Sequence, residues 1–174
     1  SFPLEEVLNL EIPCVKAFKE SEIKMLHTMW QKGLNSPLTS SIGRLFDAVA
    51  SFANILHIQS YEGETGLQIE ENYDKTITQS FTYEIIEGKI EILSMIKQMI
   101  LEKDKKQICS KFINTLVSIV LDISNFYKDL PIVLGGGVFQ NRTFLELLIN
   151  KFKEQNREFY YNKNIPLNDG GISV

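Results

Sequence analysis

The residues of this chain best placed to do chemistry are a run of glycines behind an apolar stretch, Ile132-Val133-Leu134-Gly135-Gly136-Gly137-Val138-Phe139-Gln140-Asn141. Glycine lacks a Cβ, so its backbone can take positive φ and let a ligand come close. The first N–H groups of a following helix have no partners in the helix and carry the positive end of its dipole. A strand, a glycine turn and a helix start therefore suit a phosphate or another anionic group. Gly136 and Gly137 are the candidates at the turn, and Asn141 stands where its amide can cap the helix or reach a bound ligand. The run is neither the G-x-G-x-x-G fingerprint nor a P-loop, which needs Gly-Lys-Ser/Thr. A plain strand–helix turn uses the same glycines, so spacing alone leaves both readings open.

A second pair is Gly43 and Asp47. They are four residues apart, on one face of a helix. Glycine inside a helix costs up to ~1 kcal/mol relative to alanine, which suggests something packs against its backbone. A carboxylate beside that gap could accept hydrogen bonds from ribose hydroxyls; an exposed Asp beside a helix-packing glycine is the simpler alternative. Gly63 and Gly66 are further positions where a backbone or ligand could come close. Asp169 precedes Gly170-Gly171, at the end of a second strand, where open α/β sheets bind ligands; the same tripeptide is also a common turn. His27 and His57, thirty residues apart, do not have the i, i+4 spacing of a helical metal pair. Cys14 and Cys109 are isolated, without C-x-x-C spacing, and read as free thiols of a reducing compartment.

The elements that must position these groups follow from periodicity. Residues 1–20 read as irregular with one short helical turn. Ser21 can cap a helix whose apolar stripe is Ile23, Leu26, Met29 and Trp30, ended by Gly33 and Asn35-Ser36-Pro37. Thr39, Ser40 or Ser41 caps the next, with Ile42, Leu45, Phe46, Val49, Phe52, Ala53 and Leu56 at helical spacing. A short helix runs from about Tyr61 to Tyr73. Phe81–Ile86, Glu87-Gly88 and Lys89–Ile92 spell a β-hairpin. A helix over 93–101, a charged link and a long core helix from about Asp104 to Tyr127 follow. The buried strand 132–134 then crosses, through a helix carrying Phe144, Leu145, Leu148, Ile149 and Phe152, to a parallel strand at Glu158–Tyr161.

Composition bounds the function. The 174 residues are enough for one domain or two small lobes, and 44% hydrophobic with 23% charged residues is ordinary for a soluble globular protein. Net charge is −4, the pI is near 5.3, and no long basic run occurs, so a nucleic-acid footprint is not the default reading. No unbroken apolar run reaches the ~18–20 residues that span a bilayer, and the first residues lack a signal-peptide pattern, so no membrane partner is expected and a cytoplasmic location is. The chain starts without Met and stops at Asp169–Val174 where an element is beginning, which reads as a piece of a larger protein.

Taken together, Thr39–Ala50 with its Ser-Ile-Gly-Arg-Leu-Phe-Asp-Ala core, Tyr61-Glu62-Gly63-Glu64, Gly136-Gly137-Val138-Phe139-Gln140-Asn141-Arg142 and Pro166–Ser173 resemble the HypF family, the carbamoyltransferases of [NiFe]-hydrogenase maturation. The resemblance runs from about residue 36 to 174. It implies the C-terminal part of an actin/sugar-kinase-like (ribonuclease H-like) domain related to the tRNA threonylcarbamoyl-transferases: an α/β lobe, helix-rich with a small sheet. Residues 1–37 would be an N-terminal segment and helix, and 38–174 the lobe itself. Members of the family use carbamoyl phosphate and ATP, pass through a carbamoyl-adenylate and carbamoylate the C-terminal cysteine of the acceptor protein HypE. Acylphosphatase-like, zinc-finger and YrdC-like domains normally precede this one. By position, Gly136 and Gly137 would face phosphate or carbamoyl, Asn141 would bond the nucleotide, and Gly43 and Asp47 would hold base and ribose. Asp169 matches a carboxylate ligand of a divalent metal whose histidine partners, an H-x-x-x-H pair, belong to the half of the domain not contained in this chain. Alone, the fragment is expected to be inactive. The alternatives are another actin-like ATP-dependent transferase of the tRNA-modifying type, against which Phe139-Gln140 and Arg44-Leu45 argue, and a non-enzymatic docking module.

Overall fold

The computed structural model of the chain describes residues 3–165 and 167. Its elements run α1 (Leu4–Leu8), α2 (Pro13–Lys16), α3 (Glu20–Gln31), α4 (Ile42–Phe52), α5 (Glu64–Glu71), β1 (Glu84–Ile86), β2 (Lys89–Glu91), α6 (Leu93–Leu101), α7 (Lys105–Phe126), β3 (Ile132–Leu134), a 3-10 turn (Gly137–Gln140), α8 (Arg142–Glu154) and β4 (Phe159–Tyr161).

Helix α7 is the axis of the core. Asp104 caps it, its carboxylate accepting from the N–H groups of Lys106 at 2.7 Å and Gln107 at 3.2 Å. Ile108, Phe112, Ile113, Leu116 and Ile119 are buried along it. Phe46 of α4 meets Phe112 edge to face at 4.9 Å, and Ile69 of α5, Met95 and Met99 of α6, Leu134 of β3 and Phe144, Leu148 and Phe152 of α8 close around it. Burying a side chain of this size stabilises by about 1.5–3 kcal/mol. By length and average composition α7 could cross a membrane, but here it is wrapped by the rest of the chain. Its polar residues are used as fasteners. The Ser110 hydroxyl accepts from Asp74 N at 2.8 Å, Thr115 Oγ1 accepts from Phe81 N at 2.8 Å, and Asn114 Nδ2 donates to the carbonyls of Ile77 and Gln79. These bonds pin the irregular segment between α5 and the hairpin. At the other end of α7, the Arg157 guanidinium donates to the carbonyls of Lys128, Ser124 and Tyr127 at 2.6–3.2 Å and so occupies the carbonyl end of the helix.

The hairpin pairs Glu84 with Glu91, Ile85 with Ile90 and Ile86 with Lys89. Glu87 and Gly88 both have positive φ (51° and 77°), the two-residue turn whose twist suits a hairpin. The second sheet is parallel: Ile132 faces Phe159, Val133 faces Tyr160 and Leu134 faces Tyr161, joined by the α8 crossover as the sequence predicts. The strand 132–134 is expected to be buried, but only one face is. Leu134 is 4% exposed, whereas Val133 and its partner Tyr160 are 75% and 55% exposed. Parallel sheets are normally covered on both faces, so this one presents a bare apolar side.

Other departures are local. Helix α3 starts after Lys19 rather than at a Ser21 cap, with Glu22 Oε2 accepting from Lys19 N at 2.7 Å. Its expected apolar stripe is not buried in the core: Ile23 and Met29 are partly buried, and Leu26 and Trp30 are roughly half exposed. Gly33 ends it with φ +65°, Leu34 N donating back to the Met29 carbonyl. Two short helices, α1 and α2, stand where one helical turn is expected.

Candidate functional site

Helix α4 begins at Ser41, whose hydroxyl accepts from Arg44 N. Its inner face, Phe46, Val49 and Ala50, is locked into the core. That anchoring leaves Gly43 and Arg44 exposed and sets Asp47, half-buried, on the side that meets α5. The glycine is expected to make room for something close. Among the described residues, the nearest neighbour of a Cβ at Gly43 would be its own Ser41 hydroxyl at 3.5 Å, an ordinary contact, so Gly43 faces outward onto open space.

Asp47 is half-buried and ties α4 to α5. Its Oδ1 accepts from the Gln59 side-chain amide and from Thr65 Oγ1, the latter at 2.8 Å. Oδ2 is buried and lies 3.0 Å from Arg44 Nη2, within ion-pair range but without hydrogen-bond geometry. One oxygen of the carboxylate is thus committed to the fold, and the other lies beneath an exposed guanidinium. Thr65, 3% exposed, and Gln59 are parts of this arrangement that periodicity does not reveal.

Helix α5 starts at Glu64, three residues later than the sequence suggests. Gly63 is its N-cap with φ +86°, a conformation that side chains rarely adopt. Gly63 therefore has a turn to make, and among the described residues nothing lies within 4 Å of where its Cβ would be.

The glycine turn differs from expectation in one respect that matters for chemistry. Strand β3 leads into Gly135-Gly136, the 3-10 turn Gly137–Gln140 intervenes, and α8 begins only at Arg142. The glycines are thus not at the helix N-terminus. That N-terminus is already satisfied by the protein. Asn141 Oδ1 accepts from Phe144 N at 2.9 Å, and the Glu70 carboxylate accepts from Arg142 N at 3.3 Å and Thr143 N at 2.7 Å. Asn141 is 6% exposed, and its Nδ2 donates to the Gly66 carbonyl at 3.1 Å. Of the two roles open to its amide, the structure shows the cap and a strut to α5. Gly136 has φ +106° and ψ 159°, a region essentially reserved for glycine, and its N–H donates to the Leu167 carbonyl at 2.7 Å. Among the described residues, Gly135, Gly136 and Gly137 are exposed, and added Cβ atoms at Gly135 and Gly136 would meet nothing within 4 Å.

Helix α4 meets both α5 and the 3-10 turn, and the Asp47–Thr65 and Asn141–Gly66 bonds join Asp47 and Asn141 to α5; Gly43, Gly63, Gly136 and Gly137 lie exposed on these same elements or at their ends. Among the described residues this is an open wall rather than a closed cleft. Two open hollows of ≈ 500 Å³ and ≈ 550 Å³ lie elsewhere, one against Glu5, Asn9 and Phe18, the other against Tyr83, Asp122 and Phe126. In the second, the Tyr83 hydroxyl donates to Asp122 Oδ2 at 2.5 Å, and burial together with that carboxylate pushes the phenol well above its usual range.

Asp169 lies outside the described residues. Among those described, no group of three or more His, Cys, Asp or Glu could hold a metal ion. His27 stacks at a tilt against Trp30, and the His57 ring lies between Ser51 and Asn54, accepting from one at Nδ1 and donating to the other from Nε2 in the tautomer that satisfies both. The described residues do not supply a ligand set for the expected divalent metal. Cys109 is fully buried, and desolvation pushes its thiol up to about 12; Cys14 is also raised by burial. Neither cysteine is disulfide-bonded.

Residues 4–174 match the family model described as the carbamoyltransferase, Kae1-like domain, second subdomain. The chain is 31% identical over 158 residues to carbamoyltransferase HypF of Synechocystis sp., covering 87% of this chain and 20% of that protein. It is 30% identical over 170 residues to the probable carbamoyltransferase HypF of Methanocaldococcus jannaschii, covering 90% and 22%. Its fold is similar to that of full-length HypF in a phosphate- and nucleotide-bound form, with a TM-score of 0.83 and 32% identity over 92% of this chain and 23% of that one. It is also similar to HypF of T. kodakarensis, with a TM-score of 0.74 at 21% identity, which bears on the fold alone. The chain spans about a fifth of the length of these relatives. The fold class expected from the sequence, a helix-rich α/β lobe of actin-like type with small sheets, stands.

Proposed function

We propose that this chain, which belongs to the HypF carbamoyltransferase family, supplies one wall of a nucleotide site in a carbamoyl-transferring enzyme. The observation that carries the reading is that three separate stretches, α4, α5 and the glycine turn, are packed or bonded to one another while Gly43, Gly63 and Gly135–Gly137 on them stay exposed. A wall without an opposing wall is what a shared cleft requires. The similarity to a HypF structure holding phosphate and nucleotide supports the same reading.

In this proposal the full-length protein uses carbamoyl phosphate and ATP to form a carbamoyl-adenylate, and passes the carbamoyl group to the C-terminal cysteine of a HypE-type acceptor. The transfer forms a bond between the cysteine sulfur and the carbamoyl carbon, breaks the carbamoyl–AMP bond, and leaves the thiol proton to solvent or base. This chain's residues bind and orient. The bare glycine turn lets the nucleotide's phosphate come against the backbone. Because the Gly136 N–H and the Asn141 amide already have internal partners, these two residues shape the wall rather than donate to the ligand. The exposed Arg44 guanidinium, paired with Asp47, follows Gly43 directly in the chain. No metal chemistry is assigned to the described residues. The two unpaired thiols favour a reducing, cytoplasmic setting.

The internal use of Gly136 and Asn141 is also what a turn with a purely architectural role would show, so a docking module is the competing reading. Isothermal titration of ATP separates them. ATP that binds only when the other subdomain of the Kae1-like domain is supplied in trans supports the shared cleft. If the two parts associate and neither arrangement binds ATP, the nucleotide reading fails.

A further inference from the structure

We propose that Glu70 is a positioning residue that sets the glycine turn against the α4–α5 wall. It lies on the α5 helix, is half-buried, and reaches 73 residues along the chain, its Oε1 accepting from both Thr143 N at 2.7 Å and Thr143 Oγ1 at 2.9 Å. Its Oε2 accepts from Arg142 N at 3.3 Å. With Asn141 Oδ1 on Phe144 N, the first three N–H groups of α8 are all bonded to the protein's own oxygens. A helix N-terminus attracts an anion, and here the anion is resident. The α8 dipole therefore serves attachment, leaving the turn at Gly135–Gly137 as the surface open to a ligand.

The geometry of that attachment explains why it matters for the site. Helix α5, capped by Gly63, holds Asp47 through Thr65, offers the Gly66 carbonyl to Asn141, and one turn later offers Glu70 to α8. Gly136 and its neighbours carry no side chains to fix the turn from within. The Gly136 bond to Leu167 and the stacking of Phe139 on Phe144 hold the turn to its own surroundings, and the Glu70 carboxylate and the Asn141 strut tie it across to α5. Loss of the carboxylate leaves two helix N–H groups seeking water and frees the start of α8 to shift.

The inference rests on the nucleotide reading for its functional consequence but not for its structural content, so the test has two arms. In the full-length protein, Glu70→Ala, Glu70→Gln and the control Thr115→Val are compared; Thr115 is a buried fastener of α7 away from the turn. Hydrogen exchange is read over amides 135–141, and a non-hydrolysable ATP analogue is titrated at a temperature well below melting. Glu70→Ala should speed exchange in that stretch at least tenfold and weaken the analogue at least tenfold. Glu70→Gln, which keeps one acceptor for Thr143, should lie closer to the unaltered protein in both, while Thr115→Val lowers the melting temperature and changes neither. Unchanged exchange over 135–141 in Glu70→Ala overturns the proposal, as does faster exchange with unaltered affinity. Should the unaltered protein bind no analogue, the nucleotide reading falls and the exchange arm alone decides Glu70. Should Glu70→Ala fail to fold, a Glu70→Gln protein indistinguishable from the unaltered one overturns the proposal.

Discussion

Asn141 and Gly66 are 75 residues apart in sequence and joined by one hydrogen bond, Nδ2 to carbonyl, at 3.1 Å. The other end of the same amide caps α8. A side chain expected to touch a ligand is thus a buried strut between two helices. Asn141→Ala removes the cap and leaves the Gly66 carbonyl without its donor, a combined cost of about 2–4 kcal/mol. Asn141→Asp keeps an acceptor for Phe144 N but sets a carboxylate oxygen against that carbonyl. Urea unfolding should show both variants destabilised; an Asn141→Asp protein as stable as the original would show that the strut contributes nothing.

Asp47 can be dissected through its two oxygens. Asp47→Ala orphans the buried Thr65 hydroxyl and should cost about 1–3 kcal/mol. Asp47→Asn retains an acceptor at Oδ1 and should stay within about 1 kcal/mol of the original. Thermal melts test that ordering. If Asp47→Asn keeps its melting temperature yet weakens nucleotide binding in the assembled domain, the contact runs through Oδ2 and its Arg44 partner.

The adjacent glycines should respond differently to alanine. At Gly136, φ of +106° makes any side chain strained, so Gly136→Ala should destabilise by about 1–3 kcal/mol even though its Cβ would meet nothing within 4 Å among the described residues. Gly135 has no positive φ and equally open space, so Gly135→Ala should be near neutral for stability. A Gly135→Ala protein that folds normally but binds nucleotide weakly would place the ligand directly on the turn. Equal stability of the two variants, measured by denaturant midpoint, would contradict the backbone argument.

Cys109 predicts an alkaline limb. Its folded pKa is raised to about 12 by burial, above the ordinary thiol value of 9.0. The unfolded chain therefore releases this proton first. The stabilisation is fully present below pH 9 and is lost as pH rises toward 12, with a slope of up to about 1.4 kcal/mol per pH unit. Cys109→Ala should flatten that limb in chemical denaturation series. In the folded protein at pH 8, Cys109 should resist alkylation until the core opens.

Much of this architecture was legible from residue order. The 3.6-residue spacing of Ile42 to Phe52 and of Ile108 to Ile123 marked α4 and α7, although Ala53 and Leu56, which continue the first pattern, lie beyond the end of α4. Glu87-Gly88 marked the hairpin, and the apolar run at 132, the glycines and Phe144 to Phe152 marked a parallel crossover. These features depend on neighbours within a turn of helix or a strand pair, where spacing and backbone preference suffice. The family resemblance rested on the same short stretches.

The fate of the polar groups was not legible. That Glu70 would cap a helix beginning at Arg142, that Asp47 would hold Thr65, and that Asn141 would brace Gly66 follow no spacing rule, because each bond joins segments brought together only by the core. Likewise, a period-3.6 stripe on α3 and an apolar strand at 132–134 read as buried, yet Trp30 and Val133 are exposed. Sequence pattern fixes which face of an element is apolar. Whether anything packs on that face, and which donor meets which acceptor across tens of residues, is decided by the assembled structure.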